Sequence, residues 1–178
     1  DFQEVWSRIC VRYVDGEESF QYLIDRSLMR PRYLINLVSY CKSHAVNLRH
    51  SRIEVDDVER GLQSYSSDLV AEIGLEIRDV LPEAEDVLYC LVGVTRVIAG
   101  QELEKCLQAG GFDDRGLMAR IIDILLWYGV LGIWISDEES TYIYDVNYDA
   151  NLLRAMDRKR TARVYSMNPA MWKGLGIK

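Results

Sequence analysis

The sequence predicts a mainly α-helical protein, with a helical bundle followed by a smaller domain of helices and one β-hairpin. Two observations predict this class. Apolar residues recur at three- and four-residue spacing through most of the chain, which is typical of helices with one buried face. Later in the chain, two runs rich in β-branched and aromatic residues flank a polar turn, which is typical of a hairpin. The composition, 49% hydrophobic and 28% charged, is that of a globular protein and excludes long disordered or collagen-like segments.

The first part, residues 1–80, is predicted to form a bundle of four helices. The first helix has an apolar face made of Phe2, Val5, Trp6, Ile9 and Tyr13. A second helix covers residues 20–29. Pro31 is predicted to begin the third helix, because a proline at the first helical position loses no backbone hydrogen bond. Asp56 and Glu59 resemble a capping box, and they predict the start of a long fourth helix with an apolar stripe from Val58 to Val80.

The next part is predicted to contain three short helices and then the hairpin. The helices cover residues 84–92, 101–109 and 114–128. Asp114 is the expected N-cap of the third helix, and Gly129 follows its end. Two strands, 131–135 and 141–146, are joined by a polar turn. Three helices followed by a hairpin are the element order of a winged helix.

Formal charge divides the chain into three blocks. The net charge is −3 over residues 1–78, −10 over 79–150 and +6 over 151–178, which gives −7 for the whole chain. We therefore predict three segments: a helical bundle over 1–80, a winged helix over 81–150, and a basic C-terminal helix with an extended tail over 151–178. The acidic middle segment repels polyanions.

The charged ends of the hairpin and of the chain are candidate contact surfaces. The tip of the hairpin carries three acids, where a winged helix would meet a DNA phosphate: Asp137, Glu138 and Glu139. This arrangement favours protein over nucleic acid as the partner of the wing. The basic segment contributes five cations at helical spacing: Arg154, Arg158, Lys159, Arg160 and Arg163. They could contact the acidic wing, a neighbouring protein or nucleic acid, or remain solvated.

The sequence contains no recognisable catalytic or metal-binding signature. It lacks a G-x-x-x-x-G-K-[ST] phosphate loop and a G-x-G-x-x-G motif. Neither His44 nor His50 belongs to a nucleophile arrangement. The four cysteines form no C-x-x-C pair and are expected to be reduced, buried thiols: Cys10, Cys41, Cys90 and Cys106. We therefore expect no catalysis by this chain alone and no resident metal.

The start of the third helix is the most informative segment. Between Arg26 and Ile53 there are six cations and no acids, and Arg30 and Arg32 flank Pro31. Cations at a helix N-terminus oppose the helix dipole, so helix stability does not explain them. An arginine offers a planar fork to phosphate oxygens, which makes these residues candidates for anion binding. The alternative is that they pair with acids elsewhere in the bundle.

The order of these features resembles the C-terminal half of AAA+/STAND-type P-loop ATPases of bacteria. The resemblance covers about residues 15–150. It rests on Arg30-Pro31-Arg32 before an apolar helix, on the stretch from Arg52 to Glu59, and on the acidic winged helix. It implies that residues 1–80 form a helical lid over a bound nucleotide.

The resemblance also implies roles for the residues at the helix start. By analogy with the sensor 2 motif, Pro31 is expected near the adenine or ribose, and Arg32 at the β- or γ-phosphate. Arg30 could substitute for Arg32. The phosphate loop, the acidic Mg²⁺ motif and sensor 1 are all absent from this chain. ATP or ADP is therefore expected only with a missing N-terminal domain.

These observations predict the regulatory C-terminal portion of a P-loop ATPase, coupling nucleotide state to protein contacts. Its expected partners are the N-terminal nucleotide-binding domain of the same protein and other protein subunits. Two alternatives remain open: a stand-alone winged-helix DNA-binding module in transcription or replication initiation, and a scaffolding domain with no link to nucleotide.

The sequence also bears on where the protein is found. The longest apolar stretch, from Ile121 to Ile135, is interrupted by Asp123 and is shorter than the roughly 20 residues of a membrane span. No signal peptide is visible, and the chain begins with Asp1. We therefore expect a cytoplasmic piece of a larger protein, with no membrane partner.

Overall fold

Two long helices that cross closely form the centre of the N-terminal half. The computed structural model describes residues 1–136 and 139–178. The first elements along the chain are α1 (Phe2–Ile9), β1 (Tyr13–Val14), β2 (Glu17–Glu18), α2 (Ser19–Asp25), α3 (Pro31–Leu48) and α4 (Val55–Val80). Helix α3 begins at Pro31 as predicted. The predicted stripe of α4 is buried from Val58 to Ile77, whereas Val80 at the end of the helix is exposed.

A glycine allows α3 and α4 to approach each other. A Cβ atom at Gly61 of α4 would lie 2.6 Å from the Sγ atom and 2.7 Å from the backbone nitrogen of Cys41 on α3. Real Cβ atoms do not approach backbone this closely, so no larger residue fits without moving the helices. On α3, Tyr33 and Leu37 are buried, whereas Ile35 faces solvent.

The start of α4 is a capping box two residues earlier than predicted. Glu54 and Asp57 form the box, and the predicted pair Asp56 and Glu59 does not. The Asp57 carboxylate accepts the backbone N–H of Glu54 at 2.9 Å. Glu54 has an extended backbone, as an N-cap residue requires. The helix therefore begins at Val55.

The first helix is shorter than predicted because backbone pairing stops it. The chain leaves α1 at Cys10, which forms a parallel bridge with Ile53. The backbone N–H of Val11 donates to the Ile53 carbonyl at 2.9 Å, and Ile53 donates back to Ile9 at 2.8 Å. Tyr13, predicted on the apolar helix face, lies in β1 instead.

The C-terminal half is built around an antiparallel sheet. Its α-helices and strands are β3 (Val97–Ala99), α5 (Gly100–Ala109), α6 (Arg115–Trp127), β4 (Leu131–Ser136), β5 (Glu139–Thr141), α7 (Ala150–Arg158), β6 (Val164–Met167) and α8 (Trp172–Leu175). The strand order is β3-β6-β4-β5. Strand β6, predicted as part of an extended tail, is therefore an inner strand between β3 and β4.

Two elements of this half differ from their predicted form. The predicted helix over 84–92 is replaced by two 3-10 helices, Pro82–Ala84 and Val87–Leu91. The second hairpin strand, predicted over 141–146, ends at Thr141, and a 3-10 helix follows at Ile143–Val146. The cause is local, because the carboxylate of Asp145 accepts the backbone N–H of Tyr142 at 2.8 Å and caps this turn.

The third predicted helix of this half is confirmed, together with its cap. Helix α6 begins after Asp114, whose carboxylate accepts the backbone N–H of Leu117 at 2.7 Å. Gly129 follows the helix with a φ of 72°, in the left-handed region that favours glycine. The chain then turns directly into β4.

The end of the chain packs on α4 and connects the two halves. The Ser66 hydroxyl of α4 donates to the Ala170 carbonyl at 2.6 Å and accepts the backbone N–H of Gly174 at 2.8 Å. Buried side chains from Trp6 to Leu175 form one continuous core. The predicted divisions near residues 80 and 150 remain predictions.

In the part of the chain that the structure describes, no helix has both the length and the apolar character required to cross a bilayer.

Candidate functional site

Arg32 lies in the first turn of α3, where its side chain contacts an acid of the bundle but remains exposed to solvent. Its guanidinium forms an ion pair with Glu72 of α4, and its Nη2 atom lies 3.4 Å from the hydroxyl of Tyr33. The side chain is 66% exposed. The hydrogen bond with Tyr33 and the charge of Glu72 raise the pKa of Arg32 further. Arg32 thus has an acidic partner within the bundle and still faces solvent.

Arg30 and Pro31 complete the predicted group. Pro31 is exposed at the first position of α3. The half-buried Arg30 forms no ion pair with any residue that the structure describes. Its guanidinium carbon lies 5.4 Å from the centre of the Tyr33 ring, and that of Arg32 lies 5.0 Å from the same ring. The two arginines therefore share one aromatic platform.

The surroundings of this platform are acidic. Glu72 and Glu76 lie one turn apart on α4. Burial raises the pKa of the Tyr33 phenol, and both carboxylates act in the same direction. An oxyanion that approaches Arg32 therefore meets the negative charge of Glu72 beside it. Exposed ion pairs contribute little to stability, so an exchange of Glu72 for that oxyanion is feasible.

The five cations of the basic segment have different environments. The Nε atom of Arg154 lies 3.2 Å from the Asp123 carboxylate, and that of Arg163 lies 3.5 Å from Asp157. Arg160 donates to the backbone carbonyl of Trp134 in β4. The structure thus places one of the five against a strand of the hairpin. The other two are exposed and have no ion-pair partner among the described residues: Arg158 and Lys159.

The acidic wing is described only in part. Glu139 is exposed in β5. Asp137 and Glu138 lie outside the described residues. The aromatic residues around the hairpin pack as a group, with the rings of Tyr142 and Tyr144 stacked 5.3 Å apart. Their pKa values are raised by burial, that of Tyr142 to about 12. These two tyrosines lie in the interior.

A histidine and two acids come together at the start of α4. The Nδ1 atom of His50 lies 2.7 Å from a carboxylate oxygen of Asp57, and Asp56 completes a group whose ligand atoms lie within 4.8 Å of one another. These are residue types that bind metals. However, the same Asp57 oxygen already accepts the backbone N–H of Glu54. The geometry is that of a helix cap reinforced by His50, and its hydrogen bond to Asp57 raises the pKa of the imidazole.

Helix α1 leaves an apolar face uncovered. Only Trp6 of its residues is buried, and its indole N–H donates to the Ser19 hydroxyl at 2.9 Å. Phe2, Val5 and Ile9 are between 43% and 57% exposed. Sequence periodicity predicted this face but assigned it to the core.

Sequence reasoning missed a cleft between the two halves. The cleft has a volume of about 310 Å³, and its lining includes Tyr22, Arg26, Arg96 and Trp172. The Arg26 guanidinium stacks on the Tyr22 ring at 3.4 Å, and that of Arg96 lies 4.1 Å from the Trp172 ring. These residues are far apart in the sequence and belong to no motif. Of these residues, only Arg26 belonged to a pattern noted in the sequence, the run of cations between Arg26 and Ile53.

A comparison with protein families matches the first part of the chain. Residues 1–74 match the family model described as a FunZ-associated C-terminal helical domain. The match ends within α4 and covers less than half of the chain. No curated protein and no solved structure matches. The description indicates that the matched region is a helical domain from the C-terminal part of a larger protein. The mainly helical class is therefore confirmed for this region.

Proposed function

We propose that this chain is the regulatory C-terminal portion of a larger P-loop ATPase of the AAA+/STAND type. In this proposal an N-terminal part binds ATP or ADP, and the chain catalyses nothing itself but couples the nucleotide state to protein contacts. The similarity of residues 1–74 to a C-terminal helical domain supports the position in a larger protein. The observation that carries the nucleotide link is the solvent-facing Arg32 in the first turn of α3.

The proposed switch is an exchange of partners at Arg32. Without a nearby phosphate, Arg32 pairs with Glu72. A phosphate presented by the N-terminal part would replace Glu72, because two charge-assisted hydrogen bonds from a guanidinium to a phosphate are stronger than a solvent-exposed ion pair. Arg30, which lacks a carboxylate partner among the described residues, would contribute a second positive charge.

Helix α4 connects this exchange to the C-terminal half. Glu72 lies on α4, and Ser66 of the same helix holds Ala170 and Gly174. A change in the position of α4 would therefore reach the sheet through the C-terminal segment. The core is close-packed across this contact, and packed interfaces shift between discrete arrangements and do not deform gradually.

We propose that the C-terminal half is a winged helix used for protein contacts. The order β3, α5, α6, β4 and the antiparallel pairing of β6 with both β3 and β4 support this arrangement. The charge of −10 over residues 79–150 opposes contact with DNA. Helix α6 carries two cations, Arg115 and Arg120, which are few against this acidic background.

The apolar face of α1 is the proposed contact with the N-terminal part. The family match begins at residue 1, and its description places it C-terminal to other sequence. A helix of eight residues with three exposed apolar side chains is unfavourable in water unless another surface covers them. The N-terminal part of the larger protein is the occupant that the position of α1 favours.

The test is an arginine substitution in the longer protein. We expect Arg32→Ala to weaken ATP and ADP affinity about tenfold, since a charge-assisted hydrogen bond contributes about 1.5–3 kcal/mol. Arg78→Ala is the matched control, because Arg78 is also a partly exposed arginine paired with carboxylates, at the far end of α4. Unchanged nucleotide affinity and turnover in Arg32→Ala would remove Arg32 from the mechanism.

A titration with duplex DNA distinguishes the proposed function from the main alternative, a stand-alone DNA-binding module. A stand-alone DNA-binding module would bind duplex with submicromolar affinity and lose it steeply as salt increases. We expect weak binding with a shallow dependence on salt. A scaffolding domain would show neither duplex binding nor any response to Arg32→Ala.

A further inference from the structure

The cleft between the two halves is lined by charges of both signs. Its acids are Asp15 of the β1–β2 turn, Glu17 of β2 and Glu59 of α4, all from the N-terminal half. Its cations are Arg26, which follows α2, and two residues of the C-terminal half, Arg96 just before β3 and Lys173 of α8. These residues come from different parts of the chain and meet only in the folded protein.

Arg26 lies in the cleft with most of its donors unused. Its side chain is only 12% exposed. One N–H group donates to the Tyr22 carbonyl at 2.9 Å, and the nearest carboxylate oxygen, on Glu17, lies 3.9 Å away, beyond hydrogen-bond distance. A guanidinium carries five N–H donors. The described residues accept one of them, and the others reach solvent in the cleft, where they are available to a ligand.

Arg96 presents a second available guanidinium. It lies over the Trp172 ring at 4.1 Å and forms no ion pair with the residues that the structure describes. Trp172 is held in place because its indole N–H donates to the Met167 carbonyl at 2.9 Å. A guanidinium stacked on a ring keeps its edge N–H groups free for a carboxylate or phosphate. Arg26 lies 5.9 Å from the same indole ring.

The charges of the cleft decide between classes of ligand. Three cations and three acids line it, so its formal charge is zero. A polyphosphate would meet three carboxylates as well as the cations, and its binding would be opposed. A ligand with one carboxylate and one ammonium group has a favourable partner for each of its charges. A volume of about 310 Å³ suits a small molecule, because ligand sites range upward from roughly this size.

We propose that this cleft binds a small zwitterion, such as an amino acid or a dipeptide. Its carboxylate lies at the guanidinium edges of Arg26 and Arg96. Its ammonium group lies beside Asp15, Glu17 and Glu59. A bound ligand bridges α2 and the C-terminal segment, so its binding stabilises the contact between the two halves. The proposal does not depend on the ATPase link.

The test is calorimetric titration of the chain with glycylglycine, acetate, ethylamine and pyrophosphate. We expect saturable binding of the dipeptide, with acetate and ethylamine each at least about tenfold weaker because each lacks one charged end. Arg96→Gln and Glu59→Gln should each weaken dipeptide binding about tenfold. Both side chains are exposed, so the fold should survive, which circular dichroism verifies.

The control is Arg158→Gln, an exposed cation on α7 that does not line the cleft. It should leave dipeptide binding unchanged. No saturable dipeptide binding, or equal affinity in Arg96→Gln and the unsubstituted chain, would overturn the proposal. Tighter binding of pyrophosphate than of the dipeptide would show a polyanion site instead, and would overturn it as well.

Discussion

The arginines of this molecule differ in whether a carboxylate or an aromatic ring contacts the guanidinium group. Arg154 and Arg163 each lie beside a carboxylate and are neutralised within the chain. Arg30 and Arg96 lie over aromatic rings and have no carboxylate partner among the described residues. A ring stabilises a cation but leaves its charge and its edge N–H groups available. Arg30 and Arg96 are therefore available to an external anion, whereas Arg32, which lies over the Tyr33 ring and pairs with Glu72, would exchange that partner in the proposed switch.

At the same scale, Gly61→Ala tests the close crossing of α3 and α4. A Cβ atom there would meet Cys41 side-chain and backbone atoms within 2.8 Å. We expect a loss of about 1–3 kcal/mol in the free energy of unfolding, the usual cost of overpacking a core. Urea denaturation monitored by circular dichroism measures it.

The matched control is Gly74→Ala on the same helix. There the new methyl group would meet only a Leu88 Cδ1 atom at 3.9 Å, an ordinary contact. Alanine favours a helix over glycine, so this variant should gain up to about 1 kcal/mol. Equal effects of the two substitutions would contradict the described crossing.

At the scale of elements, the connection from α3 to α4 contains a titratable contact. His50, two residues beyond α3, pairs with Asp57 in the first turn of α4. The hydrogen bond to Asp57 raises the pKa of His50, and the charges of Asp56 and Glu54 add to it, while burial acts in the opposite direction. The protonated imidazole therefore holds the two elements together.

The predicted consequence is a loss of stability as pH rises. An unfolded histidine titrates near pH 6.5, and the folded pKa is higher. The contribution is thus complete below about pH 6.5 and is lost as pH rises through the folded pKa. Melting temperature should fall over this interval, and His50→Gln should remove that component. His44→Gln is the control, and a pH dependence that persists in His50→Gln would contradict the assignment.

Local signals predicted where the long helices of this fold begin, whereas the position of β6 depends on long-range contacts. Pro31 and Asp114 mark helix starts through chemistry confined to one turn, and both predictions are confirmed. The inner position of β6 depends on pairing Tyr165 with Ile98 and Ile133, which no local pattern encodes.

The candidate sites, too, were predictable from the sequence only where a local pattern marked them. Arg30 and Arg32 were visible in the sequence because cations at a helix start are unusual. The partner of Arg32, Glu72, lies forty residues away and could not be predicted. The cleft draws residues from Asp15 to Lys173, so nothing but the fold could reveal it.

At the scale of the whole molecule, one core joins the region of the family match to the rest of the chain. The match ends at residue 74, within α4, and the end of the chain packs on that helix. The proposed regulatory role requires this continuity, because in that proposal an exchange at Arg32 would have to reach the sheet. The exposed apolar face of α1 is the other feature that we assign to a contact within the larger protein.

Val5→Asp in the longer protein tests that face. The side chain is exposed in the chain alone, so the isolated chain should keep its melting temperature within a few degrees. In the longer protein, a charge placed in an apolar contact should lower stability and increase hydrogen exchange in α1. Gln3→Asp on the same helix is the control. Identical behaviour of the two variants in the longer protein would contradict a contact through this face.

The proposed exchange of partners at Arg32 is tested most directly by measuring the nucleotide affinity of the Glu72→Gln variant of the longer protein. In the proposed mechanism Glu72 competes with phosphate for Arg32, and glutamine keeps the size of the side chain but removes its charge. Affinity for ATP or ADP should therefore increase severalfold, opposite to the effect of Arg32→Ala. An unchanged or weakened affinity in Glu72→Gln would contradict the exchange at Arg32.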